Sequence, residues 1–369
     1  MSRLVALGML LCTFSASAVE TMRIAMGQVE GEVELSGTGL GIGPDSEDGA
    51  FQPLRDGTVR IRRVNGRLEL DGAPFPGEVI RFRAGRESLD AGVPGKEGIR
   101  APALGLEVRG DVVVRPVRAG LQLINVIPLE DYLAAVLGSE MPRSFPLEAL
   151  KAQAVAARTY ALHKKLQGLD ESVHLGSSVL HQVYGGMGRE DAKTRIAVQQ
   201  TWGEVLTFDL SPIEAYFHAS CGGRTEGGRE ALSRDLAYLQ PVSCPCESLP
   251  VTRWKATLTE NELERLLGTA LPGMRVMARS ATGRAQRLGG RSGSVDAVTF
   301  RRKVGYTRVK SLAFEVEDAG EGRYLLTGRG NGHGAGMCQW GAKVLADQGW
   351  DYKRILAHYY PGAELQLLY

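Results

Sequence analysis

The chain has 369 residues, 43% of them hydrophobic and 23% charged, which fits one large or two to three ordinary domains and excludes a disordered polymer. Its 44 Lys and Arg against 42 Asp and Glu leave a net charge of +2, a balance that gives no electrostatic case for nucleic acid. The 47 glycines point to many turns and close backbone approaches.

Residues 1–18 read as a secretory signal. Arg3 supplies the charged start, Leu4 to Leu11 the apolar core, and Ala16-Ser17-Ala18 the cleavage site. The mature chain is expected to begin at Val19 and to be exported, to the periplasm or the extracellular cell envelope. Lipid attachment at Cys12 is disfavoured because Leu11 before it is not small. No later apolar run is long enough to span a membrane.

From 19 to 119 the pattern is short alternating strands, among them Thr58 to Val64, Arg67 to Leu70, Glu78 to Arg83 and Asp111 to Arg115, with Gly, Asp and Pro between. This β-rich region shows no chemistry. A further strand covers Leu121 to Ile127, and residues 120–369 then read as a mixed domain, so the expected class is α+β. A helix opens at Leu129 behind Pro128, with acidic residues in its first turn. A second, alanine-rich helix begins at Pro146. Leu147, Leu150, Ala154, Ala157 and Ala161 form its buried stripe, and Arg158 borders that stripe, reaching into a polar site or snorkelling. Strands and short helices alternate to about Cys246. Arg253 to Leu258 is a strand, and Thr259 caps a short helix to Leu267 with Glu262 three residues on. Basic alternating strands are expected from Met274 to Val316, and two helical stretches near Lys343 and Tyr352.

Glu140 falls at the corner between the first two helices, just before Pro142. The negative end of a helix dipole disfavours its charged form and raises its pKa, which suits a general acid. Near the C-terminus, Gly328 to Gly336 alternates glycine with side chains. Read as a strand, it puts Arg329, Asn331 and His333 on one face and a bare glycine face opposite. Gly330, Gly332 and Ala335 fit a dinucleotide pattern, but the chain ends too soon for the unit that reading needs. Neither a G-x-S-x-G elbow nor an H-E-x-x-H helix occurs. After signal removal four cysteines remain, Cys221, Cys244, Cys246 and Cys338. In an exported chain they read first as disulfides, and second as ligands of one zinc, with His218 as an alternative member.

Several segments together resemble the stage II sporulation protein D, or amidase-enhancer, family. They are Ile127-Pro-Leu-Glu-Asp-Tyr-Leu, Ser139-Glu-Met-Pro, Leu147 to Ala161, Gln182-Val-Tyr, the strand at His218, Gly328 to Ala342, and Ile355 to Gly362. In order they span roughly two thirds of the chain, from about Ile124 to Gly362. The resemblance implies a peptidoglycan lytic transglycosylase that cuts glycan strands between N-acetylmuramic acid and N-acetylglucosamine. Glu140 would be the catalytic acid and base, and Gln182, Tyr184, His218, His333, Gln339 and Arg158 substrate-binding residues. The first four and Gln339 are expected to line one cleft with Glu140. The implied partners are glycan strands and, on the rival reading, a cell-wall amidase that the protein recruits without cutting. No cofactor is required by that chemistry, and zinc is the one metal considered. Some family members bind zinc just before the Gln-Val-Tyr segment, where this chain runs from His174 to His181 without a cysteine. The family commonly carries serine at Cys221 and Cys338 and an aromatic at Asn331.

Overall fold

The computed structural model describes residues 20–46, 49–54, 57–84, 98–168, 172–177 and 182–369. The expected signal and its cleavage site lie outside these residues. Among the described residues there are eight helices: α1 Leu129–Glu140, α2 Leu147–Gln167, α3 Ala192–Gln199, α4 Gly228–Leu232, α5 Glu260–Leu267, α6 Ala297–Val304, α7 Gln339–Asp347 and α8 Tyr352–Tyr359. With several separate sheets they make an α+β fold. No described helix is long and apolar enough to cross a membrane.

A seven-stranded sheet carries the body. Thr21–Val29 pairs antiparallel with Gly120–Pro128, from Thr21 opposite Pro128 to Val29 opposite Leu121. Alternation along the first strand buries Met22, Ile24 and Met26. The N-terminal strands fall in two sheets, this one and a separate six-stranded sheet drawn from Val33–Ser36 to Leu106–Val108, and their buried side chains share one hydrophobic core with the helices.

α2 is the central strut. Pro146 opens it, Glu148 lies in its first turn, and Lys164 and Lys165 lie in its last, which suits the helix dipole at both ends. Its alanines are buried on all sides from Ala149 to Leu162, beyond the single stripe the spacing indicated. Small side chains let α1, α3, α7 and α8 all pack against it.

A second hydrophobic core lies between Arg253 and Arg329, inside the region read as one domain. Trp254, Leu258, Phe300, Phe314, Tyr324 and Leu326 belong to it and not to the main core. Two three-stranded sheets, α5 and α6 enclose this small lobe. Thr259 caps α5 as expected, accepting from the Glu262 N–H. α6 replaces an expected strand: Asp296 accepts from the Thr299 N–H, and Ala297, Phe300 and Val304 turn inward at helical spacing. The glycine run also differs from expectation. The strand ends at Arg329, and Gly330, Gly332, Gly334 and Gly336 have φ of 84°, 118°, 94° and 68°, so the run is a left-handed loop. A Cβ at Gly336 would lie 2.0 Å from the Tyr216 carbonyl oxygen, so the close approach inferred for the bare face does occur.

Candidate active site

Glu140 ends α1 and is half-buried. Its Oε1 accepts from the Val183 N–H at 2.7 Å, and its Oε2 faces the Gln339 side-chain amide at 3.5 Å. Burial pushes its carboxyl above the ordinary range, while the Val183 N–H and the Gln339 amide pull it partway back. The direction is the one expected, and desolvation is its largest cause. No other carboxylate hydrogen-bonds to Glu140 among the described residues, and none contributes to its shift.

The segment 182–185 is clamped onto the end of α1. Gln182 is fully buried; its Oε1 accepts from the Tyr132 hydroxyl at 2.9 Å and its Nε2 donates to the Ala157 carbonyl at 3.0 Å. Tyr184 is buried and donates to Asn125 Oδ1 at 2.7 Å, with its ring 5.2 Å from that of Tyr132. The Gly185 N–H donates to Ser139 Oγ at 3.2 Å. Gln182 and Tyr184 therefore hold the Val183 N–H on Glu140 from behind and do not face an open cleft. Gly138 makes this contact close: a Cβ there would sit 1.8 Å from the Arg189 carbonyl oxygen.

Gln339 opens α7, buried, with its amide also 3.3 Å from Gln153 Oε1 on α2. Just before it, Met337–Cys338 pairs parallel with Phe217–His218. His218 and His333 stack edge to face at 5.3 Å. His218 is only 4% exposed, and its Nδ1 donates to the Ala335 carbonyl at 3.0 Å, which leaves its buried Nε2 as an unpartnered acceptor. His333 Nε2 donates to the Phe217 carbonyl at 2.9 Å, and its Nδ1 accepts from the Ala335 N–H. Burial lowers both, His333 to about 4, so both rings are neutral near pH 7. Neither touches Glu140. They brace the strand that delivers Gln339.

Arg158 lies apart from this site. It is 0% exposed and grips Glu130 through Nε to Oε1 at 2.7 Å and Nη2 to Oε2 at 2.6 Å. Its burial rules out snorkelling, and the polar site it reaches is Glu130 inside the α1–α2 interface, where its charge is neutralised away from Glu140. Sequence reasoning missed Tyr132, Gln153 and Asn125, and the last two join Glu140's surroundings only across the fold. Tyr132 had one available signal, its place about two turns before Glu140 on the same helix.

Cys221, Cys244, Cys246 and Cys338 cluster as expected, all buried, with their sulfurs within 4.8 Å of one another. They are free thiols and not the two disulfides preferred from compartment. Bonded sulfurs stand about 2.05 Å apart in couples; here four converge on one centre, and Cys221 Sγ is 3.4 Å from Cys246 Sγ. His218 is not part of the group. The Nδ1 of His174 accepts from the Arg23 N–H instead of meeting a cysteine, and His181 lies outside the described residues.

The stage II sporulation protein family model matches residues 117–208, from the strand before α1 through the Gln182 segment to Phe208. A Brachyspira hyodysenteriae protein is 32% identical over 300 residues, covering 78% of this chain and 81% of its own length. The stage II sporulation protein D of Bacillus subtilis is 32% identical over 269 residues, 67% of this chain and 77% of its own. The amidase enhancer of Bacillus subtilis is 31% identical over 289 residues, 63% of this chain and 40% of its own.

Proposed function

The chain belongs to the stage II sporulation protein D family, and we propose that it is an exported, cell-envelope lytic transglycosylase that cleaves peptidoglycan glycan strands with Glu140 as its acid and base. The observation that carries this reading is a lone, half-buried carboxyl with a raised pKa, held by one backbone N–H and one amide. Ordinary glycosidases use two carboxylates. A single one suffices when the substrate supplies the nucleophile.

Protonated Glu140 gives its proton to the glycosidic oxygen as the bond from that oxygen to muramic C1 breaks. The resulting carboxylate takes the proton of the C6 hydroxyl, whose oxygen bonds to C1 and closes a 1,6-anhydro ring. Glu140 ends protonated, and no water is consumed. The Val183 N–H and the Gln339 amide steady the carboxylate between the two transfers. Buried neutral histidines behind Gln339 add no cation that would depress the acid's pKa.

The test is digestion of purified glycan strands, with and without stem peptides, by wild type and Glu140→Gln, followed by mass analysis. Anhydro-ended products from wild type, reduced on the order of 10²–10⁴ in rate by the substitution, are expected. Products with ordinary reducing ends, or full activity in a folded Glu140→Gln, would refute the assignment. The likeness to a protein named amidase enhancer supports a second reading, recruitment of a cell-wall amidase. That reading predicts no anhydro ends and a stimulated amidase, unaffected by Glu140→Gln.

A further inference from the structure

We propose that Cys221, Cys244, Cys246 and Cys338 hold one zinc ion in a closed, structural four-thiolate site that fixes the start of α7. The inference is independent of the glycan-cleaving reading.

Geometry is the first argument. Four sulfurs at about 2.3 Å from one tetrahedral ion lie about 3.8 Å from each other. The four sulfurs here are all within 4.8 Å, with one pair at 3.4 Å, and their residues are at most 6% exposed. Four protein ligands and no solvent path leave no open position, which is the pattern of a structural zinc and not a catalytic one. Packing leaves no slack: a Cβ at Gly341 would fall 2.3 Å from Cys244 Sγ.

Charge is the second, independent argument. Four thiolates around a divalent ion carry a net double negative charge. Arg284, 4% exposed, lies beside them and donates from Nη2 to the Cys221 carbonyl at 2.7 Å. Its Nε and Nη1 are buried without a hydrogen-bond partner among the described residues, and the Glu226 carboxylate pairs with Nε at 3.9 Å. Nη2 also donates to the Arg224 carbonyl at 3.2 Å, and the Glu226 carboxylate that pairs with Nε already accepts from Ser280 and Thr282, so a second anionic group against the guanidinium would offset more of its burial cost. A metal–thiolate centre is such a group. Two backbone N–H groups also point at Cys338 Sγ, from Gly341 at 3.2 Å and Cys221 at 3.4 Å, the outer bonds that orient a thiolate ligand.

The site ties three distant segments: the turn after His218, the turn Pro245–Ser248, and the cap of α7. Cys338 directly precedes Gln339, so the metal anchors the residue that meets Glu140. Binding displaces the thiol protons into solvent as the four Zn–S bonds form.

The experiment uses the full exported chain, purified without a metal-affinity tag and under reducing conditions. Elemental analysis is expected to find one zinc per chain. The four thiols should react with a thiol reagent only after unfolding or chelation. Chelation should lower the unfolding midpoint by about 10 °C or more, and added zinc should restore it. Cobalt exchanged into the site should give the intense visible bands of a tetrahedral thiolate centre. Cys246→Ser should lose the zinc, while Glu140→Gln keeps it, so failure here and failure of the glycan assay stay distinguishable. If Cys246→Ser does not fold, the wild-type metal and thiol counts decide alone. Two disulfides by mass, four thiols that take up no zinc, or iron with sulfide in its place would each overturn the proposal.

Discussion

Replacing Arg158 with Met tests whether this buried cation serves the fold or the substrate. Arg158 makes two hydrogen bonds to Glu130, at 2.7 and 2.6 Å, and a third to the Glu204 carbonyl at 3.0 Å. Glu130 is 6% exposed, and its only other hydrogen-bond partner among the described residues is the Tyr369 hydroxyl at 2.6 Å. The variant therefore strands a buried carboxylate with one donor in place of three. Breaking such a pair on one side costs about 3–5 kcal/mol, a fall in the unfolding midpoint of roughly 5–10 °C. Removing both charges, in Arg158→Met with Glu130→Met, should recover most of the loss, because the desolvation cost goes with the charges. Denaturant unfolding of the single and double variants, alongside glycan digestion, reads all of this. A stable, inactive Arg158→Met would refute the reasoning and return Arg158 to the substrate.

Other substitutions probe the site itself. Glu140→Gln should be at least as stable as wild type near neutrality: a carboxyl whose pKa is raised by folding loses stability as pH rises through that raised value, and Gln escapes the loss. Thermal melts across pH check this, and the two proteins should converge in acid. Cleavage by wild type should decline as pH rises through the Glu140 pKa, above the ordinary carboxylate range, in a pH–rate profile. Gly138→Ala would ordinarily favour a helix by up to about 1 kcal/mol. Here its Cβ meets the Arg189 carbonyl at 1.8 Å, so the sign should reverse and cleavage should fall with stability. Tyr132→Phe leaves the buried Gln182 Oε1 without its donor and should cost about 1–3 kcal/mol in chemical denaturation.

What the sequence revealed was local. Pro128 and Pro146 marked where α1 and α2 begin, and Thr259 marked α5, because each cue acts within one turn. Asp296 and Thr299 gave the same kind of cue for α6, but it was masked by a basic run that alternates like a strand. Glu140 was found at its corner, yet the Val183 N–H and Gln339 amide that set its state come from 43 and 199 residues away. The pairing of Thr21–Val29 with Gly120–Pro128 is equally non-local, which is why the first strands read as a region of their own. In the glycine run, spacing revealed close backbone approach but not conformation, since glycine suits an extended strand and a left-handed loop alike. The family motifs that hold Cys221 and Cys338 implied that the cysteines meet; only the convergence of the sulfurs separated one cluster from paired bridges.

The small lobe leaves and rejoins the body at a single doorway, where Arg253 and Arg329 are register partners on neighbouring strands. Inserted modules with adjacent ends can be exchanged without rethreading the host. Recombination could thus trade this lobe for another, or shorten it to a hairpin, while the body keeps its sheet and α2. The exchange has one condition. Ser280 and Thr282 seat the lobe on Glu226 at 2.5 and 2.6 Å, and Arg284 brings the cation that stands beside the four thiols. A replacement must carry a cation to the same spot, so the lobe and the cysteine centre are expected to be inherited as a pair.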